Sequence, residues 1–102
     1  MTTLYVESVQ KSQDVLDLVR AAIARQIARL KLGVQLARQR LTPFEQQYGV
    51  TSKYFISKMT AENLAHGDDE YVHWAGEYLL LQSLQEKLRK LMGIRYSDSK
   101  LL

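Results

Sequence analysis

Between residues 16 and 48 apolar side chains fall at 16, 19, 23, 27, 30, 34, 37, 41, 44 and 48, at intervals of three and four, with Arg and Gln mostly on other faces. That spacing holds one apolar stripe on one side of an α-helix. Starting near Ser12, an unbroken helix to Tyr48 would span about 50 Å at 1.5 Å per residue. Pro43 stands inside it, where proline donates no hydrogen bond and its ring presses on the preceding turn. The segment Thr42-Pro43-Phe44-Glu45 offers a restart, with Thr42 as N-cap, Pro43 at the first helical position and Glu45 closing a capping box. A kink or short restart is expected there, with the stripe kept in register.

Gly49 suits a left-handed helix end, and Thr51 or Ser52 suits the N-cap of a new, short corner helix. Gly67 interrupts the chain again, and Asp68, Asp69 and Glu70 then fill the first turn of a last helix, where carboxylates complement the dipole. A second stripe follows through Tyr71, Trp74, Tyr78, Leu81, Leu84 or Gln85, Leu88 and Leu91, ending near Gly93 with Lys87, Arg89 and Lys90 in the last turns. The expected fold is all-α: a long antiparallel helical hairpin with a short corner helix at its closed end. The alternation in "TLYVESV" predicts a short N-terminal strand within an extension over 1–10, and residues 95–102 read as a frayed tail.

The stripes are wider than one helix–helix seam requires. Leu79 and Leu80 join Leu81, while Leu18, Leu32 and Leu36 broaden the first stripe. A two-helix hairpin leaves such breadth uncovered, so a second copy is expected to complete a twofold helical bundle. Size points the same way. A chain of 102 residues, 46% hydrophobic and 25% charged, makes one domain with a thin core, and oligomerisation is a common remedy.

The absence of cysteine removes disulfides, thiolate catalysis and Cys-based zinc sites together. No apolar run approaches the roughly 20 residues needed to cross a bilayer, and "MTTLYVESVQ" has neither the basic region nor the apolar run of a signal peptide, so a cytoplasmic protein is expected. The net charge of +3 is unevenly spread. Residues 11–40 carry seven Lys/Arg against Asp14 and Asp17, whereas residues 41–86 carry seven Asp/Glu against Lys53 and Lys58. Oppositely charged solvated faces would attract one another across the hairpin. The sharper reading is a basic helix, with Arg25, Arg29, Lys31, Arg38 and Arg40 as its contacts, that meets nucleic acid or an acidic protein.

Glu70, His73 and Glu77 form the one constellation with catalytic colour, because Glu-x-x-His at one-turn spacing is half of a di-iron carboxylate site. A complete site needs further inward carboxylates, and the first helix offers only Asp14, Asp17 and Glu45. His66 beside Gly67 reads as a loop histidine or cap. There is no glycine-rich phosphate loop and no serine or threonine nucleophile with a base. No catalytic residue, metal or cofactor is expected.

Four aromatic rings, Phe44, Tyr48, Tyr54 and Phe55, surround the corner. They are either the plug of a small core or a surface for another chain. The stretches "FEQQYGVTSKYF" at 44–55 and "GDDEYVHWAGEY" at 67–78 resemble the F-E-x-K-Y-G-M-S-S-x-x-F and G-D-D-x-x-x-x-W pattern of small helical prokaryotic antitoxin-like proteins encoded beside a toxin. Phe44, Glu45, Tyr48, Gly49, Ser52, Phe55, Gly67, Asp68, Asp69 and Trp74 match in order, over about a third of the chain. Gln47, Val50 and His73 depart from it. The resemblance implies a binder of a cognate toxin. Tyr54, Asp68, Asp69, Glu70, Tyr71 and Trp74 are then the expected partner-binding residues, with aromatic anchors ringed by carboxylates. A small basic nucleic-acid-binding protein, or a helical dimerisation module, is the alternative.

Overall fold

The computed structural model describes the backbone over residues 2–101 and the side chains over 11–97. Its elements are a 47-residue helix α1 (Thr2–Tyr48), a short helix α2 (Ser52–Lys58), a single 3-10 turn (Ala61–Asn63) and a 35-residue helix α3 (Gly67–Leu101). Helices α1 and α3 pack antiparallel. Arg40 lies beside Glu77, and Gly33 lies close enough to Leu84 that an added Cβ would meet Leu84 Cδ1 at 3.3 Å, so the two pairs keep one register. The expected hairpin with a corner helix at its closed end is the observed architecture.

Three local expectations are corrected. The opening segment is the first part of α1, not a strand, and no strand occurs among the described residues. An isolated strand has no ladder partner, whereas helix propagation needs none. Pro43 does not restart the helix: α1 passes through it, and the Thr42 hydroxyl donates to the Arg38 carbonyl at 3.0 Å instead of capping. Helix α3 does not end near Gly93 but continues to Leu101, and the side chains of the expected tail from 98 onward lie outside the described residues.

The turn signals fall where expected. Gly49 takes φ +66° and Gly67 φ +61°, left-handed conformations that glycine alone adopts without a Cβ penalty. Thr51 is the N-cap of α2, its hydroxyl accepting from the Tyr54 N–H at 3.1 Å.

The core sits at the closed end. Ala37, Leu41, Phe55, Leu64, Trp74 and Leu81 form its buried cluster, bordered by Val34, Phe44, Tyr48, Val50, Ile56, Met59, Tyr71, Tyr78 and Leu84. Trp74 and Phe55 are its largest fully buried side chains. Burial of each such aromatic contributes roughly 1.5–3 kcal/mol by area alone. Ile27 and Leu30 extend the seam toward the open end, while Leu18, Leu32, Leu36, Leu79 and Leu80 are exposed. No helix among the described residues is long and apolar enough to cross a membrane.

Candidate functional site

The corner is built from two short polar chains threaded through the aromatic stack. Glu45, on the last turn of α1, accepts from both the Ser52 backbone N–H and the Ser52 hydroxyl at 2.8 Å. Ser52 opens α2, so this carboxylate satisfies one of the amides that a helix start leaves without an intrahelical partner. The Ser52 hydroxyl oxygen in turn accepts from the Trp74 indole Nε1–H at 2.9 Å, and Ser52 is only 2% exposed. A buried tryptophan needs a partner for its N–H, and the carboxylate–hydroxyl–indole chain provides one.

The second chain starts at Tyr48. Its hydroxyl donates to Glu70 in a short hydrogen bond and accepts from the Ala65 N–H at 2.9 Å, tying the loop before α3 to the end of α1. Its pKa is raised above the ordinary tyrosine value, first because its proton is engaged by Glu70 and then through desolvation; the Ala65 amide pulls the other way. Glu70 is buried, at 8% exposure.

Around these chains the rings stack. Phe55 lies on Trp74 with centroids 3.8 Å apart and planes 2° from parallel, and Phe44 and Tyr48 lie at 5.4 and 5.5 Å from it. Tyr71 meets Phe55 at 5.0 Å. The corner aromatics are therefore largely the core plug. Of the residues named as partner-binding, Trp74, with no exposed surface, and Glu70, turned inward to Tyr48, are held inside the corner. Tyr71 is half-buried. Tyr54, at 51% exposure, and Asp68 and Asp69 face solvent. Exposed Val72 follows them on α3.

The metal constellation is dispersed onto protein partners. Glu70 meets Tyr48, Glu77 accepts from Arg40 Nε at 2.8 Å, and the His73 ring stands edge-on to Phe44 with centroids 5.1 Å apart. Among the described residues no three His, Asp or Glu side chains converge as a metal site.

The basic residues divide in a way composition does not reveal. Arg40 is engaged by Glu77, while Arg25, Arg29, Lys31 and Arg38 are exposed. Arg25 and Arg29, four apart, share one side of α1; Lys31 and Arg38, seven apart, share another. They make two short rows and not a single basic stripe.

One concave feature has no counterpart in the sequence pattern. A groove of about 330 Å³ runs between α1, the start of α2 and α3, lined by Arg38, Leu41, Thr42, Glu45, Thr51, Ser52, Lys53, Tyr78 and Leu81. Its lining joins residues 38–53 on both sides of the Gly49 turn to Tyr78 and Leu81 on α3, so no single local motif marks it. Compared with family models, curated proteins and solved structures, the chain matches none of them.

Proposed function

We propose that this protein is a non-enzymatic, antitoxin-like binding module whose closed end covers a basic surface of a cognate toxin. The observation that supports this reading is a division of labour at the corner. Glu45, Tyr48, Ser52, Phe55, Glu70 and Trp74 are consumed in holding the corner, whereas Tyr54, Asp68, Asp69 and Val72 remain exposed. An exposed tyrosine on α2 and exposed carboxylates at the start of α3, both at the closed end, are suited to anchoring and steering a partner with basic groups. The antitoxin-like sequence pattern is then in part a folding signature, with Asp68 and Asp69 as its outward members.

The test is co-expression with the product of the adjacent open reading frame, followed by binding kinetics on the purified pair. Asp68→Asn with Asp69→Asn should slow association by up to about tenfold with little change in dissociation. Tyr54→Ala should weaken the complex by about 2 kcal/mol. Unaltered kinetics in both variants would sink the closed-end surface. Helicity of the amide variant must be checked first, since these carboxylates also favour the start of α3.

Self-association belongs to the same proposal. Leu18, Leu32, Leu36, Leu79 and Leu80 are all more than 40% exposed, and a twofold bundle would cover them. Sedimentation at micromolar concentration should report about twice the 11.8 kDa chain mass. A monomer would leave the hairpin as the complete folding unit.

A nucleic-acid reading is favoured by the exposed, unpaired Arg25, Arg29, Lys31 and Arg38 among the described residues. Replacing Arg25, Arg29 and Arg38 with Gln would then flatten the log–log salt dependence of duplex binding by roughly 0.9 for each phosphate no longer neutralised. Because these residues split between two sides of α1, the closed-end protein interface is the stronger reading.

A further inference from the structure

The groove between α1, α2 and α3 has an apolar floor and a polar, basic rim. Leu41 and Leu81 in its lining are 2% and 6% exposed and make an apolar floor. Arg38 and Lys53 line it, and neither side chain has an acceptor among the described residues; the Tyr78 hydroxyl has none either. Glu45, the one carboxylate in the lining, is engaged by the Ser52 N–H and hydroxyl. Thr51 uses its hydroxyl oxygen to accept from Tyr54, which leaves its proton free to donate. Two cations and one occupied carboxylate give the lining a net charge of +1, with uncommitted donors above an apolar floor.

We propose that this groove binds a carboxylate carried on a short aliphatic stem, with Arg38, Lys53, Tyr78 and Thr51 receiving the carboxylate and Leu41 and Leu81 receiving the stem. A guanidinium matches a carboxylate in two-point geometry. The net charge suits a monoanion better than a phosphate dianion, which would bring a second negative charge close to Glu45. The same chemistry can arrive as an acidic side chain of a partner protein or as a free small carboxylate. The proposal does not rest on the toxin reading, because it concerns different residues and a ligand of the opposite charge.

The experiment is a set of NMR titrations of the uniformly ¹⁵N-labelled full chain at constant ionic strength. The probes are butyrate, the acetylated and amidated tripeptide Ala-Glu-Ala, and inorganic phosphate. Saturable shifts confined to Arg38, Thr51, Lys53, Tyr78 and their neighbours are expected with butyrate. Arg38→Gln and Lys53→Gln should each weaken that binding at least tenfold while leaving the melting temperature unchanged, because both side chains are exposed. Tyr78→Phe keeps the ring and removes only the hydroxyl, so it should weaken binding without loss of fold. Binding of the tripeptide as well as butyrate assigns the groove to a partner's acidic side chain; butyrate alone assigns it to a free carboxylate. Shifts that scatter over the surface, fail to saturate or persist in the Arg38 and Lys53 variants would overturn the site. Tighter binding of phosphate than of butyrate would overturn the assignment to a carboxylate.

Discussion

The indole of Trp74 lies flat on the ring of Phe55, centroids 3.8 Å apart and planes 2° from parallel, and this contact joins the start of α3 to the corner helix α2. Phe55 sits on a seven-residue helix that is too short to be stable alone, so its position depends on this stack and on the Ser52 hydrogen bonds.

Truncating Trp74 to alanine should therefore cost about 3–5 kcal/mol, through the forfeited transfer energy and the cavity left behind. Urea unfolding followed by circular dichroism measures it. A melting curve unchanged from the parent protein would mean that Trp74 does not hold the corner together.

The Glu45–Ser52–Trp74 chain should behave as a unit. Ser52→Ala strands the Trp74 Nε1–H in a buried setting and removes one of the two donors to Glu45, which should cost about 1–3 kcal/mol. Combining it with Glu45→Gln should cost less than the two single changes added together, because both remove the same hydroxyl–carboxylate contact. Strict additivity in this double-mutant cycle would show that the chain carries no shared energy.

Pro43 lies exposed inside α1. An interior proline disfavours a helix by about 3 kcal/mol relative to alanine. Pro43→Ala should accordingly raise stability by about 1–3 kcal/mol, read as a higher urea midpoint. A lower midpoint would indicate that the proline ring is part of the packing at this turn.

Tyr48 predicts an alkaline transition. Its folded-state pKa is raised above the unfolded value of about 10, so the contribution is fully present below that value. Above it, ionisation in the unfolded chain draws the equilibrium away from the folded state, and stability falls until the pH has passed the higher folded-state pKa. Tyr48→Phe should remove this segment of the stability–pH curve while lowering stability at neutral pH, since Glu70 and the Ala65 amide are deprived of their partner. Parallel curves for the two proteins above about pH 10 would contradict the assignment.

Much of this corner is legible in the amino-acid sequence alone. The three- and four-residue spacing of α1 and α3, the left-handed Gly49, the chain break at Gly67 and a helix cap at Thr51 or Ser52 follow from local backbone rules, and the structure has each of them, with Gly67 also left-handed and Thr51 as the cap. Pro43 shows where local rules fail. Leu41 and Phe44 flank it and pack into the Trp74–Leu81 core, so a break at 43 would pull buried side chains from their partners. Tertiary packing outweighs the local cost of the proline. Local spacing assigns Glu45 to a capping box on Thr42, yet it serves the following helix instead, because the Gly49 turn brings the Ser52 amide to it.

The candidate partner residues divide by the same logic. Composition identifies Asp68, Asp69, Glu70, Tyr71 and Trp74 equally as an acidic and aromatic cluster, yet within a single helical turn two outward carboxylates give way to an inward one. Helical periodicity places Trp74 on the core stripe, but the fold supplies Ser52 to its indole, Tyr48 to Glu70 and Arg40 to Glu77. Backbone preference and residue spacing along one chain are enough to specify the helices, their turns and the apolar sides they present to each other. Closure of the hairpin selects which polar side chains are consumed in holding the corner and which are left at the surface or in the groove. The reason is distance along the chain: hydrogen-bond partners 22 or 37 residues apart meet only once α3 has folded back on α1.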